Sequence, residues 1–487
     1  MIFSSLEFVL FLITVIGVIL ILKNKKYQHI FLLITSYFFF YFSSNYLIFL
    51  LFFSTILDFY LAKLIWVQKE IRIKKLLLVL SVLSNIGMLG FFKYADFTIL
   101  QFNILGQNFN FNIPILELVL PIGISFYTFQ TLSYTIDVYR GHLEPSKSLK
   151  EFALYVAFFP QLVAGPIIRA KEFLPQLREK LENNSVQKLR AITINESNLK
   201  LGTTIIVFGF IKKVFFADNI SPLVNFIFQD PMGYDSLTIM LGTLAYGIQI
   251  YCDFSGYTDI AIGSALILGF KFSKNFNRPY LALSPSDFWS KWHISLSTWL
   301  RDYLYIPLGG NKKGDGRTYF NLFAVMILGG LWHGASWNFI IWGFLHGSYL
   351  AIPKFLSNRF PRLANNSFLK SKFGKIISLC ITQYLIFLAW IPFRVQDQEY
   401  MIFSMKKFLF IDFNITTFLE ILLQHKFPTL LTFSFIIIII IGYKKQNLDE
   451  IISKLPLKLW ILYLTLGISI TIFFFSKSVE NFIYFRF

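Results

Sequence analysis

Charge is scarce in this 487-residue chain: Asp, Glu, Lys and Arg together make up 15% of it, against 55% hydrophobic residues. A soluble domain carries about a quarter charged residues, so a water-facing globule is excluded. Acidic residues are the rarer sign, 27 against 45 Lys and Arg, which leaves a formal net charge of +18. Cysteine is nearly absent. Cys252 and Cys380 are the only two, both in apolar context and without metal-ligand spacing, so neither a disulfide framework nor a thiolate metal site is indicated. The sequence also lacks a Gly-x-Ser-x-Gly elbow, a phosphate loop, a dinucleotide fingerprint and a metal-spaced His/Cys cluster. There is no repeat of fixed period and no coiled coil.

What fills the chain instead is apolar runs from end to end, with a mean hydropathy of +0.59. They predict an all-α polytopic membrane protein, organised as one integral unit over residues 1–487. The 59 Phe residues reflect a compositional bias of the source and, in part, lipid-facing bulk. Residues 1–22 lack a basic n-region and an Ala-x-Ala site, so they read as a retained first span. Further spans are expected near 29–43, 46–66, 76–92, 114–135, 236–251, 257–270, 320–350, 376–393, 428–443 and 458–476. Residues 152–168 are interrupted by Pro160, Gly165 and Pro166 and suit a re-entrant or broken helix packed inside protein. Residues 201–216 contain Lys212 and Lys213 and suggest an interfacial or tilted helix. The total is about eleven or twelve membrane segments.

The basic residues cluster between these runs, at 23–26, 69–75, 169–200 and 271–318; the last holds eight Lys/Arg against three Asp. Positive loops stay cytoplasmic, which puts the N-terminus outside. Membrane topology explains the charge, so no nucleic-acid partner is invoked.

Two histidines stand out. His333 lies in GGLWHGASW at 329–337, about 20 Å along a helix that begins near Phe320, too deep for a headgroup position. An ionisable side chain at membrane depth is costly and is usually placed there for a task. A structural reading, an imidazole hydrogen-bonded to backbone, stays open. His346 follows thirteen residues later, roughly 220° round an unbroken helix, and reads as structural or interfacial. His293 lies in the Trp-rich stretch 284–310. On a helix starting at Ser286 or Asp287, Trp289, His293, Ser297 and Arg301 share one face at four-residue spacing. Such a face suits a substrate channel, and equally an interfacial helix with a tryptophan belt. In 246–263, Asp253 and Asp259 are carboxylates in apolar surroundings that need partners, such as a histidine or Arg301. A loop break at Ser255-Gly256 would instead let both reach water.

Five segments taken together resemble the membrane-bound O-acyltransferase family, in the bacterial branch that acetylates alginate. They are PIGISFYTFQ at 121–130, FPQLVAGPI at 159–167, YCDFSGYTD at 251–259, WHISLSTWLRDY at 292–303 and LWHGASW at 331–337. The resemblance covers about residues 1–400; beyond that the chain matches only as apolar spans. It implies a ring of tilted helices around a central tunnel, with His333 as the catalytic histidine and His293 as a second functional one. Trp289, Trp332, Trp337, Asp253, Asp259, Ser297 and Arg301 would line the tunnel. It further implies no tightly bound cofactor and no metal, acetyl-CoA as acyl-donor substrate, a polysaccharide acceptor, a separate extracytoplasmic acetyltransferase partner, and a place among the lipids of a bacterial cytoplasmic membrane. D-alanyl transfer to teichoic acid is the alternative within the family. A transporter or flippase is the alternative outside it, suggested by the broken segments but not by any pair of similar halves.

Overall fold

A computed structural model describes residues 2–107, 112–162, 165–182, 194–361, 367–412, 415–442, 447–475 and 482–483. The expected positions Val163, Ala164, Lys188 and Arg190 lie outside the described residues. All regular structure among the described residues is helical. This is an all-α membrane protein. Among the described residues, five helical stretches are long and apolar enough to cross a bilayer: Lys25–Val67, Ile71–Gly106, Ser236–Ile267, Trp337–Arg359 and Lys372–Arg394. Thr416–Gln424 and Lys426–Ile441 add a sixth if this pair, bent by 94°, counts as one span, and Leu6–Ile21 and Leu457–Phe473 are shorter apolar helices. The other apolar segments of the expected eleven or twelve are short or bent. Such segments are tolerated at membrane depth only where protein satisfies the backbone.

The chain divides by its contacts into two compact units, Met1–Ile206 with Tyr257–Ser273 and Val207–Gly256 with Lys274–Phe487. In the first, α1 (Leu6–Ile21), α2 (Lys25–Ser44), α3 (Ile48–Val67), α4 (Ile71–Gly106) and α5 (Ile124–Tyr139) precede two short helices, α6 (Leu149–Ala157) and α7 (Phe159–Leu162). The break between α6 and α7 falls in the segment whose prolines predicted it. Its backbone is satisfied from inside: the Phe159 N–H donates to Ser36 Oγ at 3.2 Å, and the Tyr155 hydroxyl donates to the Ile168 carbonyl at 3.0 Å. Phenylalanines form the local core, with Phe11 edge-on to Phe159 at 5.1 Å. A buried carboxylate that the sequence reading passed over, Asp58, ties α3 to α4. Ser81 Oγ and Asn85 Nδ2 donate to its two oxygens at 2.6 and 2.8 Å. Large apolar side chains such as Leu10, Phe49, Phe53 and Leu83 are exposed on these helices and face lipid.

The expected spans 236–251 and 257–270 are one helix, α11 (Ser236–Ile267), preceded by α8 (Ala170–Glu182), α9 (Glu196–Phe210) and α10 (Asp218–Gln229). Gly256 does not break it. A Cβ there would collide with the Gly209 carbonyl, so glycine is needed for close packing and not for a loop.

In the second unit the expected single helix over 320–350 is two, α14 (Asp315–His333) and α15 (Trp337–Arg359). Gly334 ends the first in extended geometry, and Ser336 caps the second by accepting from Asn338 N at 3.2 Å. The two run back against each other: a Cβ on Gly330 would strike the Phe339 carbonyl, and one on Gly343 would strike the backbone of Met326 and Ile327. The helix expected from Ser286 is also interrupted. α12 (Pro285–Trp289) and α13 (Ile294–Leu300) are separated at His293, whose φ of 43° lies in the left-handed region.

Candidate active site

The interruption at His293 sets the geometry of the site. Because the helix stops there, Trp289, His293, Ser297 and Arg301 do not form one face. Arg301 lies at the surface with Nε 2.7 Å from Asp302 Oδ1, and Ser297 is half-buried, its N–H donating to the His293 carbonyl. His293 itself is fully buried.

Asn275 anchors this turn. Its Oδ1 accepts from the Ser295 N–H at 3.1 Å and from Ser295 Oγ at 2.9 Å, and its carbonyl accepts from the Ile294 N–H at 2.9 Å. Since the Ser295 N–H, which can only donate, fixes this amide orientation, His293 Nδ1, 3.3 Å from the same Oδ1, is the protonated ring nitrogen. Nε2 is then the basic one. The face of the ring is closed by Phe254, edge-on at 4.7 Å.

His333 ends α14 and is 5% exposed. Its ring packs edge-on against Trp342 and Phe393, each at 5.1 Å, and lies 5.0 Å from Trp332. Trp332 also lies 6.1 Å from His293, so the two histidines share one indole. Trp342 in turn contacts His346 at 4.5 Å and Trp289 at 5.8 Å. The expectation that His346 points away from His333 is therefore corrected. The break at Gly334 turns the chain back, and both imidazoles reach Trp342.

The other expected site residues are dispersed. Trp337 opens α15 and is 47% exposed, and Asp259 is half-buried in the first unit. Asp253 meets neither a histidine nor Arg301. Its Oδ1 pairs with Lys213 Nζ at 2.7 Å, its Oδ2 accepts from the Ile483 N–H at 2.8 Å, and Lys213 also pairs with Asp218 at 2.8 Å. Lys213 is thus a buried counter-ion, and it lies on a π-helical turn over Ile211–Ala217. Among the described residues no three His, Cys, Asp or Glu side chains could hold a metal ion. Asn275 and Phe393 were missed by sequence reasoning. No helix joins either of them to its histidine, and only the fold brings them together.

Residues 19–391 match the family model described as membrane-bound O-acyltransferase. The chain belongs to this family. Both histidines of the shared indole, and Asn275, lie within the matched stretch. The chain is 44% identical over 326 residues to a probable alginate O-acetylase of Pseudomonas aeruginosa, covering 66% of this chain and 58% of that protein. It is 38% identical over 370 residues to a peptidoglycan O-acetyltransferase of Helicobacter pylori, covering 71% and 67%. A teichoic acid D-alanyltransferase of Bacillus subtilis is 26% identical over 283 residues, covering 55% and 67%. The chain thus spans well under two thirds of the alginate relative's length. Membership of the membrane-bound O-acyltransferase family leaves the transporter reading without support.

Proposed function

We propose that this chain is an O-acetyltransferase of a bacterial cytoplasmic membrane. It moves acetyl from a cytoplasmic donor, acetyl-CoA, to hydroxyls of an extracytoplasmic polysaccharide, either alginate-like or of the cell wall. A separate extracytoplasmic acetyltransferase works beside it on the polymer. The observation that carries this reading is the packing of His293 and His333 on the one indole of Trp332, inside a nearly dry aromatic shell. The acetyl relatives, at 44% and 38% identity, favour acetyl over D-alanyl, whose relative stands at 26%.

In this reading His333 takes the proton of the acceptor hydroxyl as its oxygen attacks the thioester carbonyl carbon. The carbon–sulfur bond breaks, the thiolate leaves and takes up the proton, and the ester remains on the acceptor. His293, held as the Nδ1–H tautomer by Asn275, offers its Nε2 lone pair to orient a reacting hydroxyl or donor group. The surrounding Trp332, Trp342 and Phe393 exclude water, which would otherwise compete as acceptor.

The test uses purified protein in nanodiscs, acetyl-labelled CoA, and glycan fragments from peptidoglycan and alginate. Label should appear in glycan esters with the native protein and not with His333→Ala. No label from acetyl-CoA, together with transfer from a D-alanyl carrier protein, would replace the acetyl reading with the D-alanyl one.

A further inference from the structure

We propose that Phe482 is a positioning residue for His293. It acts through the ring of Phe254, and Asp253 anchors it by holding the backbone N–H of Ile483. The inference rests on the O-acetyltransferase reading for the reaction that His293 serves, and adds to its site a residue from far along the chain.

Two consecutive residues of α11 receive two consecutive residues of this distant segment. Asp253 Oδ2 accepts the Ile483 N–H at 2.8 Å, and the Phe254 and Phe482 rings lie 5.7 Å apart. The acceptor is itself fixed, since Asp253 Oδ1 pairs with Lys213 Nζ at 2.7 Å and both side chains are buried. A hydrogen bond to an ionised carboxylate is stronger than a neutral one, and stronger again where water is excluded. It sets the main chain at Ile483, and the preceding side chain follows. Phe482 is fully buried.

Phe254 touches both Phe482 and the histidine. Its ring is edge-on to His293 at 4.7 Å, and Phe276 completes the wall, edge-on to Phe254 at 5.0 Å and 6.5 Å from His293. This restraint differs from the one Asn275 supplies. Asn275 Oδ1 lies 3.3 Å from Nδ1 and fixes the direction of that nitrogen, which leaves the tilt of the ring open. Edge packing on Phe254 opposes the tilt. Removing the Phe482 ring would leave space beside Phe254, and a packed interior relaxes only partly into such space. Phe254 and His293 would gain freedom, and Nε2 would leave the direction in which it meets a reacting group. A misplacement of about 1 Å can cost about a hundredfold in rate.

Phe482 and Ile483 lie outside residues 19–391, over which the family model matches, whereas Asp253, Phe254 and His293 lie inside. A segment outside the match thus enters the surroundings of the histidine. Ile483 also lines a cavity of about 340 Å³ whose lining residues Gln229, Gln396 and Asp397 are exposed. Loss of the neighbouring Phe482 ring would therefore give a small reagent a way towards His293.

The experiment compares the full-length protein with Phe482→Ala and Phe482→Leu in nanodiscs. Two quantities are read per folded molecule: acetyl transfer from acetyl-CoA to glycan fragments, and carbethoxylation of each histidine by diethyl pyrocarbonate, followed by mass spectrometry. Phe482→Ala should lower kcat by about tenfold at nearly constant KM for acetyl-CoA. His293 should react at least about fivefold faster, while the fully buried His346 keeps its native rate. Phe482→Leu, which refills part of the space, should recover part of both. A merely structural Phe482 would lower the melting temperature and leave kcat and His293 protection at native values, and that result overturns the proposal. Where the native protein transfers acetyl, a change in only one of the two quantities overturns it as well, as does a rise for His346 equal to that for His293. If Phe482→Ala does not accumulate, Phe482→Leu must shift both quantities, and native values there overturn the proposal equally. If the native protein transfers no acetyl, faster modification of His293 in Phe482→Ala keeps the positioning and sinks the O-acetyltransferase reading. Acetyl transfer with both quantities native in the variants sinks the positioning alone.

Discussion

His293 and His333 stand forty positions apart in the chain and meet at one side chain, the indole of Trp332, 6.1 and 5.0 Å from their rings. Trp332 is 5% exposed, so this contact forms away from water. A buried indole held by two imidazoles gives both a fixed orientation, which acid–base work at a single carbonyl requires.

His333→Ala should remove acetyl transfer, with a loss of at least about a hundredfold, at near-native membrane abundance. His346→Ala should do the reverse. His346 is fully buried, and its two ring nitrogens have no hydrogen-bond partner in the protein. It packs on Trp342 at 4.5 Å, so its loss should lower the melting temperature while the folded fraction keeps its specific activity. Acetate incorporated per folded molecule separates the two. If both variants were equally inactive at equal abundance, His346 would belong to the catalytic machinery.

Asn275→Ala should behave like a weakened form of His293→Ala, although Asn275 touches no substrate in the proposed reaction. Without its Oδ1 the Nδ1 proton of His293 has lost the acceptor that fixes the tautomer. Turnover should fall by about tenfold with little change in donor KM. Asn275→Asp, which keeps an acceptor oxygen, should recover part of the loss. A rise in KM at constant kcat would instead mark Asn275 as a binding residue.

Lys213→Met should destabilise the protein by about 3–5 kcal/mol, because it leaves the buried carboxylates of Asp218 and Asp253 without their cation. Thermal unfolding in detergent reads this directly. Adding Asp218→Asn and Asp253→Asn to the same variant should restore most of the lost stability, since a neutral cluster needs no counter-ion. A triple variant no better than Lys213→Met would show that Lys213 acts through packing alone.

Residues 271–318 should face the cytoplasm, as their Lys and Arg density requires. Lys312→Cys is a suitable probe. Lys312 is exposed, whereas Gly314 has a φ of 82° and would be strained by any side chain. Cys252 is buried, so only the exposed Cys380 must first be replaced. An impermeant maleimide added to intact cells should leave this cysteine unlabelled and should label it after permeabilisation. Strong labelling from outside would invert the topology.

The sequence by itself determined the class and the family, and it singled out two histidines as candidates. Long apolar runs with basic boundaries have one physical solution in lipid, the helix, and the motifs around His293 and His333 are contiguous enough to read directly. It also marked the break near Pro160, because proline removes a donor that a helix needs. The tertiary structure decided the rest. Gly334-Ala-Ser336 could have continued a helix, and only the packing of Gly330 on Phe339 and Gly343 on Met326 shows that the chain turns back and brings His346 to Trp342. A run at four-residue spacing from Trp289 to Arg301 looks helical until His293 adopts a left-handed φ, held by Asn275 from eighteen residues away. Asp253 needed a cation, but periodicity could not say that it would be Lys213 and not Arg301. Local pattern reports what a segment can do alone. Which polar groups meet in a dry interior is fixed by contacts between segments far apart in the chain.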